Sequence, residues 1–176
     1  MISLALRSSE IQNPLLKFLA FLLGFTSVIS QIVLLRELIS VFYGNETAYA
    51  IILASWLFWV AAGSLTFSLF SRKIENPWIG IFLLNTLVCG VLPLTVMAVR
   101  YLRPFLGISM GSMMGLETMC LASFVLLGPL TFILGGLFTL YCRAGELHDD
   151  SDGAGVDVGT VYFWESCGAV AGGMFF

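Results

Sequence analysis

The sequence predicts an all-α fold: a polytopic transmembrane helix bundle of about five helices, the front part of a larger bundle. Three observations predict it. The 176 residues are 59% hydrophobic and only 11% charged, where a soluble domain carries about 25% charged residues. The charges punctuate the chain, leaving uncharged runs at Phe18–Leu35 (18 residues), Thr47–Ser71 (25), Asn76–Val99 (24) and Thr118–Cys142 (25). A helix needs about 20 apolar residues to cross a hydrocarbon core, and lipid offers the backbone no partners, so each run is expected to be helical.

Taken in order, residues 1–14 form an N-terminal tail and 15–176 the transmembrane domain. The helices are expected at about 15–41, 47–70, 78–99, 118–142 and 158–176, with an acidic loop at 143–157. The first is no cleavable signal peptide: its apolar core is too long, no small-x-small site follows, and more spans come after. "YLRPFLGISMGSMMGLET", Tyr101 to Thr118, holds Pro104 and three glycines. It reads as an interfacial or re-entrant segment leading into the fourth helix. Within that helix, Gly128-Pro129 and Gly135-Gly136 are expected to bend the axis, because Pro129 removes a backbone donor. The fifth run is still apolar where the sequence stops at Phe176, eleven residues past Glu165. The expectation is a longer natural product, or a reading frame cut short.

Lys and Arg counts in short loops set orientation. With the N-terminus inside, Arg7, Lys17, Arg72, Lys73 and Arg143 face inward and Arg36, Arg100 and Arg103 outward. Five against three favours a cytoplasmic N-terminus. A bacterial inner membrane is the expected location, and no nucleic-acid partner is expected. Cys89, Cys120, Cys142 and Cys167 lack any Cys-x-x-Cys pairing and read as small apolar residues. "HDDSDG" fails as a calcium loop at both ends, with His148 first and Gly159 at position 12. "GAGVDVG" lacks the preceding strand of a nucleotide loop. The sequon at Asn45 lies too close to the membrane to weigh.

Polar residues inside the runs are the candidate sites. In "SVISQIVLLRELISVF", a turn of 100° per residue places Ser27, Ser30, Gln31 and Glu37 on one helical face, with Arg36 turned away to anchor at headgroups. Glu37 either sits in water at the helix end or completes a polar stripe toward other helices. Glu165 lies about two turns past Val158. Gly168 and Gly172 follow on nearly the same face, and small residues there let a neighbouring backbone approach. An intramembrane carboxylate is costly and by default functional; the alternative is a protonated glutamate acting as packing glue.

Three stretches carry a family resemblance. "GFTSVISQIVLLRELISVFYGNETAYAIILASWLFWVAAGSL" resembles the opening of membrane-embedded spermidine synthase-like proteins through Gln31, Arg36-Glu37 and Gly63-Ser64. "LGPLTFILGGLFTLYCR" is similar to a second family stretch through Pro129, Gly135 and Phe138, with Thr139 replacing the usual proline. "VGTVYFWESCGAVAGG" looks like the family's Val-Gly-x-x-Tyr-x-x-(Asn or Glu)-x-x-Gly-x-x-x-Gly segment. The matches run in order from roughly Gly24 to Gly173.

The resemblance implies a C-terminal Rossmann-like domain that binds decarboxylated S-adenosylmethionine and transfers an aminopropyl group to a diamine. No glycine-rich nucleotide loop or catalytic aspartate cluster occurs in these residues, so no catalytic, cofactor-binding or metal residue is carried over. The expected role is a membrane anchor for a cytoplasmic aminopropyltransferase-type domain absent from this chain. The alternative is a transport or channel module for polyamines or other small cations. There Glu37, Glu117 and Glu165 would serve as ligands with Tyr43, Tyr162 or Trp164 for cation–π contact. A structural subunit packing through Gly168 and Gly172 is the third reading. Five spans do not complete a two-half transporter, so further helices or a second copy are expected beside the lipid bilayer as partners.

Overall fold

The computed structural model describes residues 2–43, 46–71, 76–108, 114–146 and 154–176. These form five α-helices and no strand among the described residues: α1 (Ile2–Phe42), α2 (Glu46–Ser71), α3 (Pro77–Phe105), α4 (Leu116–Glu146) and α5 (Ala154–Phe175). Four contain segments long and apolar enough to cross a membrane: Pro14–Phe42, Glu46–Phe70, Pro77–Phe105 and Leu116–Gly145. The chain therefore fits an integral membrane protein. Asn45, Arg72, Lys73 and the acidic cluster with His148 lie outside the described residues.

Local chemistry sets the ends. α1 reaches back through Pro14 to Ile2, so the helical backbone includes most of the stretch read as a tail. Tyr43, just past α1, takes a left-handed φ of 57°, the conformation that commonly ends a helix. At the start of α3, the Asn76 side chain accepts from Trp78 N at 3.2 Å with Pro77 at the first position, so one orphan donor is satisfied and the proline removes another.

The largest departure from the sequence reading is at the end of α3. Tyr101–Phe105, the start of the segment read as interfacial or re-entrant, continues α3 as helix through Pro104. Two arginines secure it. Arg103 Nε donates to the Val41 carbonyl at 2.7 Å, and its guanidinium lies 4.0 Å from the centre of the Tyr43 ring. Arg103 thus caps an open carbonyl of α1 while the tyrosine face covers its charge. The helix stops where Leu106, Gly107 and Ile108 donate back to Leu102, Pro104 and Arg103, with Gly107 at φ 63°.

α4 is the central element. Of its apolar window 56% is buried, against 22–28% for the other three spans. Its buried residues Leu127, Leu130, Leu134, Leu137, Tyr141 and Ala144 recur at intervals of three and four, the spacing of a packed seam. The assignment is unbroken through Pro129. α2 packs most extensively on α4 and α1 on α5, while α3 leans on α4 and α1. The outward faces carry exposed large apolar side chains such as Leu57, Leu65, Phe82 and Leu94. Four hydroxyls within the spans are returned to their own helices: Ser55 to Ile51 O, Thr66 to Ala62 O, Thr95 to Val91 O and Thr131 to Leu127 O, at 2.7–2.9 Å. So paired, they cost little in an apolar surrounding.

Glycines make the two closest crossings. A Cβ on Gly24 would run into the Glu165 carbonyl and one on Gly168 into the Phe21 carbonyl, so α1 and α5 touch backbone to backbone. A Cβ on Gly63 would likewise meet the Phe132 carbonyl and one on Gly135 the Val60 carbonyl, bringing α2 against α4. Beside the second crossing, Trp59 Nε1 donates to Phe124 O at 2.8 Å and its ring tilts onto Phe124, centroids 4.9 Å apart.

Candidate intramembrane cleft

Between these two crossed pairs lies a cleft of about 430 Å³. α1 contributes Ser27, α2 contributes Trp56 and Ser64, α4 contributes Phe138, and α5 contributes Tyr162 and Glu165. Among the described residues Glu165 is its only acidic side chain, and no Lys, Arg or His of that set lines it. The Glu165 side chain is half-buried and reaches the cleft because the Gly24 and Gly168 contact holds this turn of α5 directly on α1.

Depth follows from helix rise. Gly24, beside the Glu165 carbonyl, is ten residues past Pro14, where the first span begins. At 1.5 Å per residue that is about 15 Å along the axis, so α5 meets α1 inside this apolar segment. A carboxylate set among apolar helices is costly, and a function is the default reading for one.

The other sequence candidates fall elsewhere. Glu37 is thirteen residues beyond Gly24, about 20 Å further along α1, and does not share the cleft. It is engaged by Arg100 of α3, with Nε to Oε2 at 3.0 Å and Nη2 to Oε1 at 2.6 Å. The fork geometry is good, yet the Arg100 side chain is 65% exposed, so the tie is weak and salt-sensitive. With Arg103 it fastens the C-terminal ends of α1 and α3. Arg36 is exposed, pointing away as its helical position requires. Ser30 is buried and Gln31 half-buried on α1, but neither lines the cleft. Glu117 is exposed in the first turn of α4, where the helix dipole favours an acid. Tyr43 is occupied by Arg103, and Trp164 packs against the core, leaving Tyr162 as the one of the three named aromatics at the cleft. Gly172 approaches the Phe25 carbonyl, a Cβ there falling 3.0 Å from it.

Sequence reasoning did not find Arg100 as the partner of Glu37, nor Trp56 as a cleft residue. Among the described residues no His, Cys, Asp and Glu cluster could hold a metal ion. Two other cavities, along α3 and α4 near Tyr101 and Phe105 and along α2 and α4 near Phe58 and Phe124, have no charged lining residue.

Residues of the three resemblance stretches meet in the cleft: Ser64 from the first, Gly135 and Phe138 from the second, and Tyr162 and Glu165 from the third. Thr139 of the second stretch is also used. Its hydroxyl lies 3.2 Å from the Ser64 hydroxyl and 3.3 Å from the Ser64 carbonyl, tying α4 to α2 beside the cleft. No family model, no curated protein and no solved structure matches this chain.

Proposed function

We propose that this chain is the membrane domain of a spermidine synthase-like protein, seated in a bacterial inner membrane with its N-terminus cytoplasmic. In this reading it anchors or serves a cytoplasmic aminopropyltransferase-type domain, and the Glu165 cleft is its ligand-facing surface for an amine. The observation that supports the reading is the convergence of Ser64, Gly135, Phe138, Tyr162 and Glu165 on one cavity. These residues come from stretches spread over about a hundred positions of the chain. No catalytic residue is assigned to this chain; the transfer chemistry belongs to the partner domain.

Transport of polyamines or other small cations is the second reading. It draws on the Glu165 carboxylate set among apolar side chains in the cleft, for which a function is the default hypothesis. The full coding sequence, expressed and recovered in membranes, separates the two. With labelled decarboxylated S-adenosylmethionine and putrescine, the synthase-like reading expects labelled spermidine. Absence of transfer, together with Glu165-dependent amine uptake into vesicles, would replace it with transport.

A further inference from the structure

The cleft opens sideways, toward lipid. We infer that its ligand is an amine borne on an alkyl chain: the amino head sits at Glu165 while the chain leaves between α2 and α5 into the bilayer. This rests on the amine reading of the cleft and extends it; a free diamine such as putrescine fills only the head part of the same site.

Helix packing makes the opening. α2 packs on α4 and α5 on α1, and no comparable packing joins α2 to α5 among the described residues. Across this gap the lining passes from the interior to the outer surface. Leu23, Trp56 and Leu134 are buried, whereas Leu57 is 67% and Tyr162 63% exposed, with Ala61 exposed on the same side. Leu57 is eleven residues past Glu46 and Ala61 nine before Phe70, the two ends of the α2 span. Each is more than two helical turns from either end, so the α2 side of the mouth faces acyl chains. An alkyl chain holds an amine in the bilayer and delivers it at such a mouth. Charge complementarity favours an amine head over a plain hydrocarbon tail. Glu165 answers the ammonium charge, the Ser27 and Ser64 hydroxyls accept from its N–H groups, and Trp56 and Tyr162 offer ring faces. The membrane domain then has a task beyond tethering: it collects an acceptor dissolved in lipid.

The test uses the whole chain in phosphatidylcholine nanodiscs with N-dodecylputrescine carrying a diazirine midway along its alkyl chain. After irradiation, adducts are mapped by mass spectrometry. They are expected at Leu57, Ala61 and Tyr162, and are expected to fall about tenfold or more in Glu165→Gln, which loses a charge-assisted contact to the head. Ala61→Trp plugs the mouth from its lipid side and leaves the carboxylate in place. It is expected to remove the adducts at Leu57 and Tyr162, so the outcome does not depend on Glu165→Gln folding well. Thermal stabilisation by putrescine, compared between the native chain and Glu165→Gln, reports on the amine site separately. If putrescine stabilised only the native chain, yet the adducts were unchanged in Glu165→Gln or spread evenly over lipid-facing residues such as Phe82 and Leu94, the chain-bearing ligand would be overturned while the amine site stood. If neither compound distinguished the native chain from Glu165→Gln, the amine site itself would fall.

Discussion

Gly168→Leu detaches α5 from α1, and Gly24→Leu does so from the other side of the same contact. In each case the first carbon of the new side chain lands on a backbone carbonyl, of Phe21 for Gly168 and of Glu165 for Gly24. No rotamer can relieve a clash at Cβ, so the helices must separate. Overpacking a well-filled interior costs about 1–3 kcal/mol and sometimes more; with backbone as the obstacle, the upper end or beyond is expected. Unfolding of the detergent-solubilised chain, followed by circular dichroism and tryptophan fluorescence, reads the loss. The same helices supply a graded control. Gly172→Ala meets the Phe25 carbonyl at 3.0 Å and costs less, while Gly173→Ala comes no nearer than 3.9 Å to Val28 Cγ1 and costs nothing measurable. Gly90→Ala, with nothing within 4 Å, gains up to about 1 kcal/mol from helix propensity. Equal effects at Gly168 and Gly90 would contradict the crossing.

Gly63→Leu and Gly135→Leu break the second crossing with comparable force. A Cβ on Gly63 strikes the Phe132 carbonyl; one on Gly135 strikes the Val60 carbonyl and comes within 3.0 Å of Ser64 N. Separation of α2 from α4 also opens the Ser64–Thr139 hydroxyl contact and removes a wall of the cleft, so amine binding and stability fall together. The arithmetic of double variants distinguishes this from general damage. Gly63→Ala and Gly135→Ala together should cost less than their sum, because once the helices part the second clash is already relieved. Gly168→Ala and Gly135→Ala lie in different helix pairs and should add. Additivity within the α2 and α4 pair would contradict a single shared contact.

The sequence made the helices legible because charge interrupts the spans, and in this chain almost nothing else does. It misplaced the end of α3, since Pro104 reads locally as a breaker, whereas Arg103 and Arg100 hold that turn against α1 through contacts more than sixty residues away in the chain. The same separation hid the partner of Glu37. Gly168 and Gly172 announced a packing face by their spacing. The answering glycine, Gly24, stands in α1 four residues after the fully buried Ala20, a small-x-x-x-small pair that could have identified the face. Glu165 stood out in the sequence as an acid two turns into an apolar run, and it lines the cleft. Its companions Ser64, Trp56 and Phe138 were not, because the cleft exists only where two crossed helix pairs meet, and no local pattern encodes which faces those pairs leave open.

The central claim is that Glu165 lies inside the apolar layer and faces a cleft, unlike the acids at the helix ends. Carbodiimide labelling of the chain in membranes, mapped by mass spectrometry, tests it directly. The lipid-soluble dicyclohexyl reagent reaches protonated carboxyls in apolar surroundings, and a water-soluble carbodiimide reaches exposed ones. Glu165 is expected to react with the first and not the second, while exposed Glu46 and Glu117 react with the second. Labelling of Glu165 by the water-soluble reagent at the rate of Glu117 would contradict the account.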